Sequence, residues 1–367
     1  MDFELDLKQS IVKPLRSDYG IGAVGAGFIM RDVQLKAYLN AGFQVAGITS
    51  RKPQVAREVA ELRGIPRVYD TLDEMLGDPA IEILDIAVPP DQQREIIERA
   101  IARGRYLKGL LAQKPLAVNY RDAAEIVRRC EERQLPLAVN QNMRYDQSIR
   151  ALKTLLERNV LGAPVLATIE MRAVPHWQAW LEDYGRLTLL NMSVHHIDSF
   201  HYLFGRPESI FVSARKDPRM KFAHEDGICL YILEYADGLR ASAWDDVWVG
   251  PRTDQDDMRP YIKWRVEGTE GVAEGTIGWP QYPNRAPSTI TFTSTAASGI
   301  WIAPSWREVW FPDAFQGPMA ELMDAIASNR EPGISGRENL ATMATVEAGY
   351  RSIEERRSVR IAEISAA

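Results

Sequence analysis

YGIGAVGAGFIMRD, residues Tyr19 to Asp32, carries four glycines in fourteen positions and offers two overlapping glycine frames. Gly20-Ile21-Gly22-Ala23-Val24-Gly25 satisfies G-x-G-x-x-G literally. Gly25-Ala26-Gly27-Phe28-Ile29-Met30 nearly does, with a methionine in the last place. A dinucleotide fingerprint needs a strand before its first glycine and a helix opening at its last. Pro14, Arg16, Ser17 and Asp18 before Gly20 make a poor strand, whereas Tyr19 to Val24 makes an apolar one and a helical pattern starts directly after Gly27. The second frame is therefore the phosphate-binding one. Gly25 makes the turn, and Gly27 lets the backbone approach a pyrophosphate at the helix N-terminus. Met30 stands where glycine would ease helix–strand packing, so it leaves phosphate binding open.

Outward from this turn, short apolar runs alternate with helical patterns as far as about Asn140. Strands are expected at Ile21–Val24, Gln44–Ile48, Ile83–Val88, Tyr106–Leu111 and Leu135–Val139. Helices are expected at Arg31–Asn40, Pro53–Leu62, a short one opened by Thr71, Asp91–Arg103 and Tyr120–Arg133. Such alternation predicts a parallel sheet with helices on both faces, an α/β fold of the Rossmann dinucleotide-binding kind. The pattern changes near Gln147. A helix at Ile149–Arg158 precedes longer strands at Val165–Arg172, Ser209–Ala214, Gly227–Ala236, Gly238–Asp246 and Tyr261–Glu267, with a helix from about Leu189 to Phe204 between them. Ala236-Asp237-Gly238 is a hairpin signal. The expected organisation is a Rossmann domain over residues 1–146 and a substrate-binding and oligomerisation α/β domain over 147–367. The second domain should carry a large, mostly antiparallel open sheet. The C-terminal helices, Met319–Ala327 and Glu338–Glu355, are free to pack back on the first.

The 367 residues have a formal net charge of −6, which argues against a nucleic-acid surface, since phosphate backbones need a clustered basic field. Cys130 and Cys229 form no metal or disulfide pattern and read as reduced thiols. The charged N-terminus has no apolar core of a signal peptide, and no apolar run reaches the length needed to span a bilayer. The expected location is the cytoplasm, without membrane contact. At the end of the second strand stand Thr49-Ser50-Arg51-Lys52. An NAD site usually places a carboxylate there for the ribose 2′-hydroxyl. Here a hydroxyl and two cations suit a 2′-phosphate, which favours NADP over NAD; a solvated basic turn would leave the choice open.

Five stretches now resemble one family, that of glucose-fructose oxidoreductase, inositol dehydrogenase and the rhizopine-catabolism MocA proteins. They are Gly25–Ile29, Ile86–Pro90, Gln113-Lys114-Pro115-Leu116-Ala117, Asn140–Tyr145 and Leu190–Asp198. Their order and spacing agree over nearly the whole chain. The resemblance implies NAD(P)-linked oxidation of a hydroxyl on a sugar, cyclitol or related polyol. It implies cofactor contacts from Gly25, Gly27, Phe28, Ile29, Val88, Pro89, Gln113 and Lys114, and a homodimer or homotetramer formed through the open sheet. The family's Glu-Lys-Pro reads Gln113-Lys114-Pro115 here, with Lys114 directed at the reacting hydroxyl, where an ammonium stabilises a developing alkoxide. Its Asp-x-x-x-His reads Asn191-Met192-Ser193-Val194-His195. By resemblance His195 takes the hydroxyl proton, which suits a group titrating near neutrality, and Asn191 orients it without supplying a charge. His195, His196, Asp198 and His201 superficially suggest a metal cluster, but no second cluster supplies more ligands, and no metal is expected.

Asn142 and Arg144 follow the last Rossmann strand, at the carboxyl edge where ligands bind. His176 and Trp177, in a loop after the first strand of the second domain, offer the polar group and aromatic face that suit a polyol. The strand with Trp244, Asp245, Asp246 and Trp248 serves either the pocket or a subunit contact. Because Gln113 and Asn191 replace two family carboxylates, two other readings stay open. One is a redox-neutral enzyme that oxidises a sugar carbon transiently to permit elimination or epimerisation. The other is a non-catalytic NAD(P)-binding sensor.

Overall fold

The computed structural model describes Leu7 and residues 11–172, 179–247, 260–278 and 286–365. They form two compact units. One comprises Ile11–Asn142 with Pro312–Met343, and the other Met143–Phe311 with the chain from Ala344 onward.

The first unit holds five parallel strands, β1 (Ile21–Val24), β2 (Val45–Thr49), β3 (Ile83–Ile86), β4 (Gly109–Ala112) and β5 (Leu137–Val139), in the order β2-β1-β3-β4-β5. Val68 adds a single parallel bridge to Ile48 beyond β2, the remnant of a sixth strand. The strands are buried nearly throughout, as expected where helices cover both faces. The chain leaves β1 toward β2 on one side and reaches β3 on the other. Ligands bind at such a switch point, outside the carboxyl ends of the strands. The helices have local causes. Gly42 and Gly64 close Leu35–Ala41 and Pro53–Arg63 in left-handed conformations, and Thr71 caps Leu72–Gly77 by accepting from the Glu74 N–H. The fourth strand starts later than its apolar run predicts. Gly104 to Leu107 turn back on the preceding helix, with the Leu107 N–H bonded to the Gly104 carbonyl at 3.2 Å, so pairing begins at Gly109. Helix Gln316–Ala327 packs on β4, where a side chain at Gly109 would meet the Ile326 methyl at 2.8 Å.

The second unit is built on eight strands. They are β6 (Pro164–Arg172), β7 (Ser209–Arg215), β8 (Ile228–Glu234), β9 (Arg240–Asp246), β10 (Tyr261–Gly268), β11 (Gly271–Ile277), β12 (Thr289–Ser294) and β13 (Val359–Arg360), in the order β12-β11-β10-β6-β9-β8-β7-β13. Every pair is antiparallel except β6 with β9. Gly238, with φ +94°, makes the β8–β9 turn that the sequence signals. β11, β12 and β13 lie outside the sequence expectation. β11 reads Gly-Val-Ala-Glu-Gly-Thr-Ile, whose two glycines weaken its strand signal. Side chains alternate between a buried face and an outer one. The outer face exposes Phe211, Leu230, Ile232 and Trp244, with Leu166. Among the described residues, no helix is long and apolar enough to cross a membrane.

Candidate active site

The glycine question has a structural answer. A side chain at Gly20 would lie 1.8 Å from the Ala80 carbonyl oxygen, and one at Gly22 would press on Ile81 and Met75, so both are packing glycines, one just before β1 and one within it. Gly25 has φ +102°, and a Cβ there would stand 2.4 Å from the Ala87 carbonyl oxygen. Its N–H donates to the Thr49 carbonyl at 2.9 Å, which pins the turn between β1 and β2. Gly27 differs from all three. It has no positive φ, and a Cβ there would meet nothing within 4 Å. Neither backbone conformation nor packing within the chain requires glycine at this place, which leaves its backbone open to close approach by a ligand. The helix opens at Ile29 with a π turn over Ile29–Gln34, after Phe28 and with no side-chain cap on its first N–H groups. This cradle fits a dinucleotide pyrophosphate.

The other candidates of this unit share that sheet edge. Ser50, Arg51 and Lys52 follow β2. Arg51 and Lys52 are exposed, and the Ser50 hydroxyl accepts from the Lys52 N–H at 3.3 Å. Val88 and Pro89 follow β3, with Val88 beside Gly25. Gln113 and Lys114 follow β4, and the Lys114–Pro115 peptide is cis. Asn142 follows β5 and donates to the Asn140 carbonyl at 2.9 Å.

The loop after β4 is tightly bound. The Gln93 side chain accepts from the Gln113 N–H at 2.7 Å and donates to the carbonyls of Gln113 and Pro115 at 2.9 and 2.8 Å. Lys114 is only partly exposed, and loss of water around its ammonium brings its pKa down to about 7. A lysine poised between its two protonation states near neutrality is chemically useful. Below Gln113 lies a group that the sequence reading passed over, Asp85 in the middle of β3, fully buried and pushed up to about 7 by desolvation. Its signal was present: one carboxylate inside the apolar run Ile83-Leu84-Asp85-Ile86.

In the other unit, Asn191 and His195 sit on one continuous helical stretch. A π turn covers Leu189–Ser193 and an α-helix covers Val194–Phe204. Such π turns concentrate at functional sites. The start of this stretch is anchored by Asp226, whose carboxylate accepts from the N–H groups of Leu187 and Leu189, both at 2.7 Å, and from the Tyr350 hydroxyl at 3.0 Å. His195 is buried, with its ring edge-to-face against Trp310 at 5.2 Å between centroids. His196 points the other way, its Nδ1 3.0 Å from the Asp245 carboxylate, which also accepts from the Ser193 hydroxyl. Arg144 makes a two-point ion pair with Asp198 on the His195 helix, at 2.5 and 2.7 Å. His201 is half-buried, and desolvation of its ring, with the nearby charges of Arg144 and Arg206 second, lowers its pKa to about 3 and keeps it neutral. Asp198 and His196 are thus each engaged by another side chain, and no group of three His, Cys, Asp or Glu that could hold a metal occurs among the described residues. His176, Trp177 and Trp248 lie outside the described residues. Asp226 and Trp310 are the residues of this site that the sequence did not disclose, since their parts depend on partners distant in the chain.

Comparison with known proteins identifies the family. The sequence model for the oxidoreductase family with an NAD-binding Rossmann fold matches residues 19–141, and that for the family's C-terminal alpha/beta domain matches residues 153–361. D-apiose dehydrogenase of Rhizobium rhizogenes is 25% identical, over 92% of this chain and 96% of that protein. The 1,5-anhydro-D-fructose reductase of Ensifer adhaerens is 24% identical, over 88% and 93%. The crystal structure of an oxidoreductase from Agrobacterium radiobacter, in complex with NAD+, L-tartaric acid and magnesium, superimposes with a TM-score of 0.79. It covers 95% of this chain and 99% of its own at 24% identity, a likeness of fold. With both halves matched, the chain belongs to the Gfo/Idh/MocA family and is an NAD(P)-dependent oxidoreductase.

Proposed function

We propose that this protein is a dehydrogenase that oxidises a hydroxyl of a sugar, cyclitol or related polyol. The observation that carries the reading is Lys114, held at the carboxyl end of β4 with its pKa brought to about 7. The relatives named as acting on apiose and anhydrofructose support a sugar-like substrate. Gly25, Gly27, Phe28, Ile29, Val88, Pro89 and Gln113 hold the dinucleotide, and Ser50, Arg51 and Lys52 favour NADP over NAD. Bound NAD(P) supplies the hydride acceptor. His195 takes the hydroxyl proton, Asn191 orients the imidazole, and the charged form of Lys114 stabilises the alkoxide as it develops. Asn142, Arg144, His176 and Trp177 are the further residues proposed to recognise the polyol. The two bonds from Arg144 to Asp198 favour a positioning part for that arginine. The apolar outer face with Phe211, Ile232 and Trp244 supports association of copies through the open sheet.

Lys114→Ala and His195→Ala test the assignment. Each should abolish turnover without unfolding the protein. Unchanged turnover in either removes that residue from the mechanism. Turnover without net NAD(P)H production would favour the redox-neutral reading instead.

A further inference from the structure

Four side chains form a continuous hydrogen-bonded relay beneath Lys114. Gln34 Nε2 donates to both carboxylate oxygens of Asp85, at 2.9 and 2.8 Å, and the Tyr38 hydroxyl donates to the same carboxylate at 2.8 Å. Gln34 Oε1 accepts from Gln113 Nε2 at 3.2 Å. Gln113 Oε1 then accepts from the backbone N–H of Lys114 at 3.0 Å. Gln34, Tyr38 and Asp85 are fully buried and Gln113 nearly so, and among the described residues Asp85 has no ion-pair partner.

Both ends of this relay have a fixed polarity. The Lys114 N–H can only donate, and the Asp85 carboxylate, which accepts from Gln34 at both oxygens and from the Tyr38 hydroxyl, is held as an acceptor by these donors. The two amides between them therefore have one consistent arrangement. Rotating either would set donor against donor at Lys114, or oxygen against oxygen at Asp85. A glutamate at position 113, as in the family's Glu-Lys-Pro, would press its carboxylate on Gln34 Oε1. Turning Gln34 to meet it would move the same conflict to Asp85 or require that buried carboxyl to take up a proton. Buried polar groups left in conflict are costly, so the arrangement is selective.

We infer that Asp85, acting through Gln34 and Gln113, is a positioning residue for Lys114, and that the direction of this relay is what makes position 113 a glutamine. The inference rests on the reading of Lys114 as the lysine facing the reacting hydroxyl. It also accounts for the departure from Glu-Lys-Pro: a buried carboxylate stands two side chains away from Lys114.

Three variants test the relay: Gln113→Glu, Gln113→Glu with Asp85→Asn, and Gln113→Glu with Asp85→Leu. The asparagine can donate to Gln34 and so permits a reversed relay. The leucine removes the same charge but offers no donor. Two readouts need no substrate: the thermal unfolding midpoint, and the rate at which a small amine-reactive ester labels Lys114 at pH 8, followed by peptide mass spectrometry. Gln113→Glu alone should lower the midpoint by at least about 5 °C. It should slow Lys114 labelling at least about fivefold, as the ammonium regains water and an ordinary pKa. Adding Asp85→Asn should restore both toward the parent, and adding Asp85→Leu should not. If Gln113→Glu yields no soluble protein, recovery with Asp85→Asn but not with Asp85→Leu supports the relay. Parent-like behaviour of Gln113→Glu, no recovery with Asp85→Asn, or equal recovery with Asp85→Leu overturns it. Absence of turnover in every protein, the parent included, would count against the dehydrogenase reading and leave these two readouts intact.

Discussion

Substituting alanine at Gly22, Gly25 and Gly27 in turn separates folding from ligand binding within one short turn. Gly27→Ala adds a methyl that meets no atom of the chain within 4 Å, at a residue without positive φ. It should leave stability within about 0.5 kcal/mol of the parent, the range of surface changes away from special features. If the pyrophosphate passes over Gly27, the same methyl stands in its path. Dinucleotide affinity should then fall at least about tenfold, a loss near 1.4 kcal/mol. Gly25→Ala places its methyl 2.4 Å from the Ala87 carbonyl oxygen at φ +102°. Its cost should be about 2–4 kcal/mol of stability, from backbone strain together with the clash. Gly22→Ala presses on Ile81 at 2.8 Å and Met75 at 3.0 Å, so it should cost stability by overpacking, about 1–3 kcal/mol, and leave the affinity of the folded fraction unchanged. The assay is a fluorescence titration with NADH and NADPH beside thermal unfolding of each variant. Parent-like affinity in Gly27→Ala, or weakened affinity at unchanged stability in Gly22→Ala, would refute the choice of frame.

Three further outcomes follow from other parts of the site. Lys114 has a folded pKa near 7, below the ordinary value of about 10.4, so its fold prefers the neutral amine. The cost of burying its charge is fully present below about pH 7 and fades as pH rises toward about 10. Lys114→Met should therefore raise the unfolding midpoint at pH 6 more than at pH 9 while abolishing turnover; an equal shift at both would contradict the depressed pKa. Arg51→Ala with Lys52→Ala should weaken NADPH binding at least about tenfold and NADH binding less than about twofold, as loss of a 2′-phosphate site requires; equal losses would remove the preference for NADP. Asp226→Ala strands two backbone N–H groups and the Tyr350 hydroxyl, and should destabilise by about 3 kcal/mol or more, with faster hydrogen exchange at Leu187 and Leu189. Unchanged exchange there would show that the helix start is held by other contacts.

Local chemistry made much of the first unit legible. Apolar runs, glycine stops and the Thr71 cap mark its elements, because each rests on residues close in the chain. The Tyr106–Leu111 run misled because apolar residues after a helix also serve a turn. In the second unit, β11 and β12 carry Gly271, Gly275 and several threonines, a composition that reads as loop until pairing supplies the reason. The site shows the same divide. Gly25, Gly27, Lys114 and His195 stand in motifs and could be named from sequence. Asp226, Trp310 and Gln34 act through partners 37 to 115 or more positions away in the chain, at Leu189, His195 and Asp85 among others, and no local pattern announces them. Arg144 was visible as a candidate, but its commitment to Asp198 was not.

The most direct measurement is absorbance at 340 nm on the purified protein with NAD and with NADP, across aldoses, cyclitols and sugar acids. A dehydrogenase of polyol hydroxyls predicts a rise with at least one of them, lost in both Lys114→Ala and His195→Ala. No rise with any of them, in protein shown by titration to bind the dinucleotide, would contradict it.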